Sequence, residues 1–344
     1  MQRRTLLSAS LGLGALTGLA SLGSTAGLKL LAAPVHHEAL AGLSLYSGSD
    51  LAFGTTVTIK VLHDDAVAAQ AAIQDALKQV KSIDTLMSLY QESSQVFQLN
   101  RLGVLRAPDA RLLHVLAFSQ QLSEQTAGAF DITVQPLWRV FSQASSRGAL
   151  PAPDQIAAAK SLVNWQRLEF DPQQVRLQTA GMAITLNGVA QGYAVDLALD
   201  ALRHRGVRHA LLDTGEFGAI GSKAHGQAWV LGVGNPRQRD AVLAAIKMDG
   251  RKVATSGDYE TFFTTDFRHH HIFDPATGDS PPELAAVTVV APTGILADGL
   301  STAFMVMGAH KALTLAAELQ GVDMMLITKH GAVQTTAHFP ELSA

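Results

Sequence analysis

The chain contains no cysteine among its 344 residues. Disulfides, thiolate metal sites and lipoprotein attachment are therefore excluded, and no thiol is left to be damaged in an oxidising compartment. Charge is also scarce: 16% of residues are Asp, Glu, Lys or Arg, and the formal net charge is −3. The lysines and arginines are scattered, so no basic surface is available for a phosphate backbone, and nucleic-acid binding is not expected. What the chain does have is apolar material, 47% of the total, enough for a substantial core. The length suits one large domain or two small ones. No internal repeat or low-complexity tract is visible beyond the N-terminus.

The first residues, Met1-Gln-Arg-Arg-Thr-Leu-Leu7, lead into an uncharged Leu/Gly/Ala/Ser stretch reaching Leu28. Paired arginines before a moderately hydrophobic run read as a twin-arginine export signal. The alternative is a membrane anchor, since the run is long enough to span a bilayer. Gly12, Gly14, Gly18 and Gly23 dilute its hydrophobicity and favour export. Ser24-Thr25-Ala26 offers a cleavage site, and Ala32-Ala33 a later one. The expected organisation is a signal over 1–26, with cleavage as late as 33, a linker over 27–50 carrying His36-His37, and a functional domain over 51–344. The protein is then periplasmic, or membrane-anchored if the signal stays. Cleavage after Ala26 removes Arg3 and Arg4 and no acidic residue, which takes the charge from −3 to −5.

Periodicity places the main elements. Thr56–Val61 alternates polar and apolar, as a half-buried strand does. Ile73, Leu77, Val80, Ile83 and Met87 mark one helix face, and Leu112, Leu113, Leu116 and Leu122 a second helix. The stretch 143–156, with two prolines, reads as a loop. Arg167–Phe170 and Val175–Gln178 form a hairpin across Asp171-Pro172. Further strands are expected at 209–213, 227–233, 242–248, 252–255, 286–291 and 324–328, with helices near 296–307 and 311–319. Long helices among hairpin strands predict an α+β fold rather than a parallel sheet.

The most informative segment is Ile184-Thr-Leu-Asn-Gly-Val-Ala-Gln-Gly-Tyr-Ala-Val-Asp196, followed by Ala210-Leu-Leu-Asp-Thr-Gly-Glu216. Gly188, Ala190 and Gly192 crowd a turn that opens a helix, where backbone groups can approach phosphates and a cation. Asp298 and Thr302 lie four apart on a helix, so a carboxylate and a hydroxyl share one face. Such oxygens suit a hard cation like Mg²⁺, which keeps waters or phosphate oxygens in its remaining positions. The competing reading sets Asp298 on the helix surface in the first turn, favouring the macrodipole, with Thr302 packing. His269-His270-His271 supplies a candidate base near neutral pH. On a strand, His269 and His271 point one way and His270 the other.

Met87-Ser-Leu-Tyr90 with Ser94 and Asn100-Arg101, Gly128-Ala-Phe-Asp-Ile-Thr-Val-Gln-Pro-Leu-Trp138, Ala254-Thr-Ser-Gly257, His271-Ile-Phe-Asp-Pro275 and Ala297-Asp-Gly-Leu-Ser-Thr302 complete the set. In this order and spacing the chain resembles the FAD:protein FMN transferase (ApbE) family, from about Phe53 to about Leu326. The resemblance implies a T-fold-like core of helices packed on antiparallel sheets. It also implies a metal held by Gly188, Asp298 and Thr302, and His271 as the catalytic base. The implied FAD site comprises Phe53, Tyr90, Ala129, Phe130, Asp131, Thr185, Gln191, Thr255, Ser256 and Ile272. For Tyr90 and Phe130 the plain alternative is a core aromatic.

The chain departs from the common family pattern. Many members have Asp-Leu-Gly-Gly where this one has Thr185-Leu186-Asn187-Gly188. The usual Lys or Glu is Gln191, and Phe53 replaces a frequent Met. The Thr-Leu-Asn-Gly-x-Ala-Gln-Gly form is similar to the branch accompanying nitrous-oxide reductase (NosX-like). The function implied is Mg²⁺-dependent transfer of FMN from FAD, the substrate, to a Ser or Thr hydroxyl of a partner flavoprotein, with AMP released. Membrane contact is then expected only through the acceptor. Two rivals remain at this point: an FAD pyrophosphatase, and a non-catalytic flavin- or metal-binding accessory using the His clusters.

Overall fold

In the computed structural model, which describes residues 28–30, 42–223 and 226–342, the chain opens with β1 (Leu28–Leu30), β2 (Ser44–Ala52) and β3 (Thr55–His63). Helices α1 (Ala66–Met87) and α2 (Gln95–Leu102), strand β4 (Val104–Arg106) and helix α3 (Ala110–Gln125) follow. Helices α4 (Gln135–Ser145) and α5 (Pro153–Lys160) precede strands β5 (Leu168–Phe170) and β6 (Gln174–Leu177). Next come α6 (Ala190–His204), β7 (Ala210–Asp213), β8 (Phe217–Ile220), β9 (Val230–Asn235), β10 (Gln238–Lys247) and β11 (Lys252–Gly257). Strand β12 (Leu284–Ala291), helix α7 (Gly294–Glu318) and strands β13 (Asp323–Thr328) and β14 (Val333–Thr335) end it. The export signal, its cleavage sites and His36-His37 lie outside the described residues.

The architecture is α+β, as expected. Eight strands form one antiparallel sheet in the order β14-β13-β12-β11-β8-β7-β3-β2. Helices α1, α6 and α7 cover one face, and the three-stranded sheet β1-β9-β10 covers the other. Alternation along each strand divides its side chains between two cores. Ala210 and Leu212 of β7 face the helices while Leu211 faces the small sheet; on β13, Met324 and Leu326 oppose Met325. A sheet buried on both sides reads in sequence as continuous apolar runs, which is why β12 and β13 were legible by composition. A second three-stranded sheet, β4-β6-β5, contains the expected hairpin. Among the described residues no helix is long and apolar enough to cross a membrane.

Several expectations need correcting. The 27–50 linker is not all linker: Ser44–Asp50 belongs to β2, paired with β3 along nine residue pairs, and β1 pairs with β9. The strand was hidden because it is a sheet edge, exposed at Leu45 and Leu51 and free of core periodicity. The 143–156 loop shrinks, because α4 runs to Ser145 and α5 begins at Pro153, where a missing N–H does no harm. The two C-terminal helices follow each other without a loop: α7 breaks at Gly308, whose φ of 75° and ψ of 169° are not helical, so the division falls where it was expected.

Candidate active site

The floor of the main cleft is built where α6 and α7 begin. Asn100 of α2 donates to the Ile184 carbonyl (2.8 Å) and accepts from the Ile184 N–H (2.7 Å), pinning the segment that enters the glycine turn. Gly188 then stands against Thr302: a Cβ there would lie 2.9 Å from Thr302 Oγ1. Asp298 is buried, its Oδ2 accepting from the Gly192 N–H at 2.9 Å. Asp298 is thus neither on the helix surface nor in the first turn. Burial pushes its carboxyl up to about 7. Gly192 serves a different end from the one expected, since the atoms it admits are the backbone of Gly294 rather than a phosphate.

The residues that the family resemblance implied for the flavin, the metal and the base all border one cleft, of about 310 Å³, within the range of small-molecule sites. Phe53 and Gly54 form the two-residue β2–β3 turn, both at positive φ (54° and 75°), and the Phe53 N–H donates to Asp84 Oδ1. Tyr90 is 65% exposed at the rim, so the core-aromatic reading fails for it; Phe130 is buried and serves both core and cleft. Ala129 and Ile272 contribute apolar wall. Thr185 N–H donates to the Ile132 carbonyl (2.8 Å), tying the glycine turn to the segment after Phe130. Gln191 donates to the Thr214 carbonyl (2.6 Å). Ser256 Oγ lies 3.2 Å from Thr302 Oγ1 and 2.7 Å from Ser301 Oγ, while Thr255 Oγ1 bonds Thr288.

Asp131 borders the cleft, but its carboxylate is turned to the scaffold. Oδ1 accepts from the Thr133 N–H (2.7 Å) and hydroxyl (2.6 Å), and Oδ2 from the Trp165 N–H (3.1 Å). It caps a short 3₁₀ turn, Ile132–Val134, and so shapes the wall rather than presenting charge to a ligand.

The three histidines do not lie on a strand; they follow an irregular loop and take different partners, although the His270 and His271 rings stay edge-on at 6.4 Å. His269 Nδ1 is 2.7 Å from Asp279 Oδ1, and its ring packs near Phe141. His270 is fully buried against the Pro281 carbonyl, and burial pulls it down to about 3. His271 alone borders the cleft. Its Nδ1 lies 3.1 Å from the Thr261 carbonyl, which can only accept, so Nδ1 carries the proton and Nε2 is left with its lone pair. Burial pulls the ring below the usual imidazole range, which favours the neutral form with its Nε2 lone pair.

Glu216 has a place that the motif reading did not assign. It closes the Asp213-Thr-Gly-Glu turn, borders the cleft and accepts from the Thr255 N–H at 3.2 Å. Burial, with Asp298 alongside, holds its carboxyl well above the usual range. The available signal was a second acid, after Thr-Gly, just beyond an apolar strand that ends at Asp213.

The donor set fits a hard cation. Two buried carboxylates, Asp298 and Glu216, line the cleft together with the backbone of Gly188 and the hydroxyl-bearing Thr302 and Ser256. Among the described residues no group of three His, Asp or Glu is arranged for a metal, so most ligands would come from water and phosphate, the habit of Mg²⁺. The three His side chains engage Asp279, the Pro281 carbonyl and the Thr261 carbonyl in turn and do not converge on one copper or zinc site.

The ApbE family model matches residues 53–326. The FAD:protein FMN transferase of Salmonella typhimurium is 31% identical over 294 residues, spanning 81% of this chain and 83% of its own. One from Klebsiella pneumoniae is 30% identical over 292 residues, with the same shares. Among solved structures, the ApbE protein of Thermotoga maritima superposes with a TM-score of 0.77 at 29% identity, over 86% of this chain and 97% of that one. The apo form of the Pseudomonas stutzeri flavinyl transferase ApbE gives 0.75 at 31% identity, over 86% and 95%.

Proposed function

This chain belongs to the ApbE family, and from that premise we propose that its cleft carries FMN from FAD to a Ser or Thr hydroxyl of an acceptor flavoprotein, with Mg²⁺ bound and AMP released. The protein is an enzyme, an FAD:protein FMN transferase. The finer reading is supported above all by one observation: Gly188, Asp298 and Thr302 meet at the floor of a cleft that His271 also borders.

The Gly188 carbonyl, the Asp298 carboxylate and the Thr302 hydroxyl would hold Mg²⁺. When bound, the ion neutralises charge developing on phosphate oxygens. The acceptor hydroxyl oxygen bonds to the FMN-side phosphorus, and the bond from that phosphorus to the bridging oxygen breaks. AMP leaves with the bridging oxygen, and the hydroxyl proton passes to His271 Nε2. The Thr261 carbonyl fixes the tautomer that makes this possible. The pocket walls at Phe53, Tyr90 and Phe130 are apolar and aromatic, suited to a flat ring system.

The acceptor is proposed to be a respiratory flavoprotein, in nitrous-oxide reduction, on the strength of the Thr185-to-Gly192 form alone. Periplasmic export is proposed from Arg3-Arg4 and the run that follows.

AMP release, measured with and without an acceptor domain, tests the reaction. Transfer predicts release that depends on the acceptor and on Mg²⁺ and stops with a chelator. Equal release without acceptor would make water the nucleophile and the protein an FAD pyrophosphatase.

A further inference from the structure

We infer that Asp196 is a positioning residue for the cation site: its carboxylate sets the register of α7 against α6 and so brings Asp298 and Thr302 to Gly188. The inference rests on the metal reading proposed above.

The first turns of α6 and α7 cross in backbone contact. A Cβ on Gly192 would fall 2.1 Å from the Gly294 carbonyl oxygen, and one on Gly294 would fall 2.3 Å from that of Gly192. Each helix then supplies a carboxylate to the other's opening N–H groups. Asp196, one turn beyond Gly192, accepts from the Gly294 N–H at 2.7 Å and the Ile295 N–H at 3.1 Å. Asp298, one turn beyond Gly294, accepts from the Gly192 N–H at 2.9 Å. Thr293, the residue preceding α7, makes no side-chain cap, so Asp196 satisfies N–H groups that the helix itself leaves orphaned.

The burial pattern does not by itself choose the rotation of α7. Residues 297–301 and 303–305 are buried without a break, so the helix is enclosed on every side over these turns. Such a helix marks no single apolar face, so its rotation is fixed by specific contacts, the Gly192–Gly294 crossing and the bonds to Asp196. A slip of one residue is about 100° and 1.5 Å, enough to carry both oxygen donors away from Gly188. The bidentate Asp196 bond opposes that slip, because its two oxygens match two successive N–H groups at one register. Asp196 does not border the cleft, so its effect reaches the ion through α7.

The test is Mn²⁺ binding, read from the EPR signal of the free ion, with and without FAD, in wild type, Asp196→Ala and Asp196→Asn. Losing a group that orients metal ligands typically costs ten- to a hundredfold in metal affinity. Asp196→Ala should therefore raise half-saturating Mn²⁺ about tenfold or more, while FAD affinity without metal stays near wild type. Asp196→Asn, which keeps one acceptor oxygen and nearly the same shape, should fall between. The exposed Asp200→Asn on the same helix should leave Mn²⁺ binding unchanged, separating register from general loss of negative charge. If wild type binds Mn²⁺ and both Asp196 variants bind it equally well, the positioning role is overturned. If wild type itself binds none, the metal reading fails and this inference goes with it.

Discussion

Gly188 stands so close to Thr302 that a single added methyl group would reach the threonine hydroxyl, at 2.9 Å. Gly192, four residues on, is closed off by a backbone carbonyl, that of Gly294, at 2.1 Å. A side-chain tip can rotate away; a backbone carbonyl in a packed helix cannot. The two alanine substitutions should therefore fail differently.

Gly188→Ala should fold with a melting temperature close to wild type and rotate the Thr302 hydroxyl out of the proposed cation site, raising the Mg²⁺ needed for half-maximal transfer about tenfold. Gly192→Ala should destabilise the protein by about 3 kcal/mol or more, since overpacking at a helix crossing has no cheap relaxation. Thermal unfolding beside a Mg²⁺ titration distinguishes them. Two variants with the same profile would contradict this division.

His271→Ala should lower the rate of flavin transfer by about 10²- to 10⁴-fold, the usual worth of general base catalysis, while FAD affinity changes little. Because burial holds His271 below its ordinary 6.5, the His271-dependent part of the rate should persist below that pH. A His271-dependent fall in rate centred at or above pH 6.5 would show that the ring titrates as an ordinary histidine.

His270 gives a stability prediction with a definite sign. Its folded value is depressed to about 3 from 6.5, so between these limits the unfolded chain binds a proton that the folded chain refuses. Its contribution to stability is present above pH 6.5 and is lost as pH falls, at up to about 1.4 kcal/mol per unit. Asp298, raised to about 7, works in the opposite sense between about 4 and 7, so the total curve mixes the two. The stability of wild type minus that of His270→Gln isolates the histidine. That difference should fall as pH drops from 7 to 4; a constant difference would mean that His270 is not held neutral.

Replacing Arg3 and Arg4 by lysine should leave precursor in the cytoplasm if the twin-arginine pair is read as an export signal. Normal periplasmic levels of that double variant, judged by fractionation and blotting, would contradict it.

The lining of the cleft was legible where chemistry and spacing coincide. Asp298 and Thr302 at i and i+4 could only share a face, and an apolar helix leaves few other reasons for a carboxylate there. Gly188 was legible because a glycine opening a helix invites close approach. The same reasoning misread Gly192, whose neighbour is Gly294, about a hundred residues away; a single sequence does not say which backbone a small residue admits. Asp131 was placed correctly at the cleft, yet its oxygens bind Thr133 and Trp165, and no motif tells which way a carboxylate turns. Glu216 was quoted in the informative segment but given no role, because what distinguishes it is burial beside Asp298, a tertiary fact. The fold followed the same division. Strands buried on both faces announced themselves, whereas β2, exposed along an edge, and α5, opened by a proline, did not.

Intact-mass spectrometry of the acceptor domain, after incubation with FAD, Mg²⁺ and either wild type or Asp298→Asn, tests metal-assisted transfer most directly. Asparagine is the better probe than alanine, since Asp298 is buried and its Oδ2 accepts from the Gly192 N–H, a bond the amide oxygen can keep. Wild type should add the mass of one FMN to the acceptor, with flavin fluorescence retained on a denaturing gel. The variant should stay folded and add none at the same Mg²⁺ concentration. Full labelling by Asp298→Asn at the wild-type rate would contradict the assignment of the cation site.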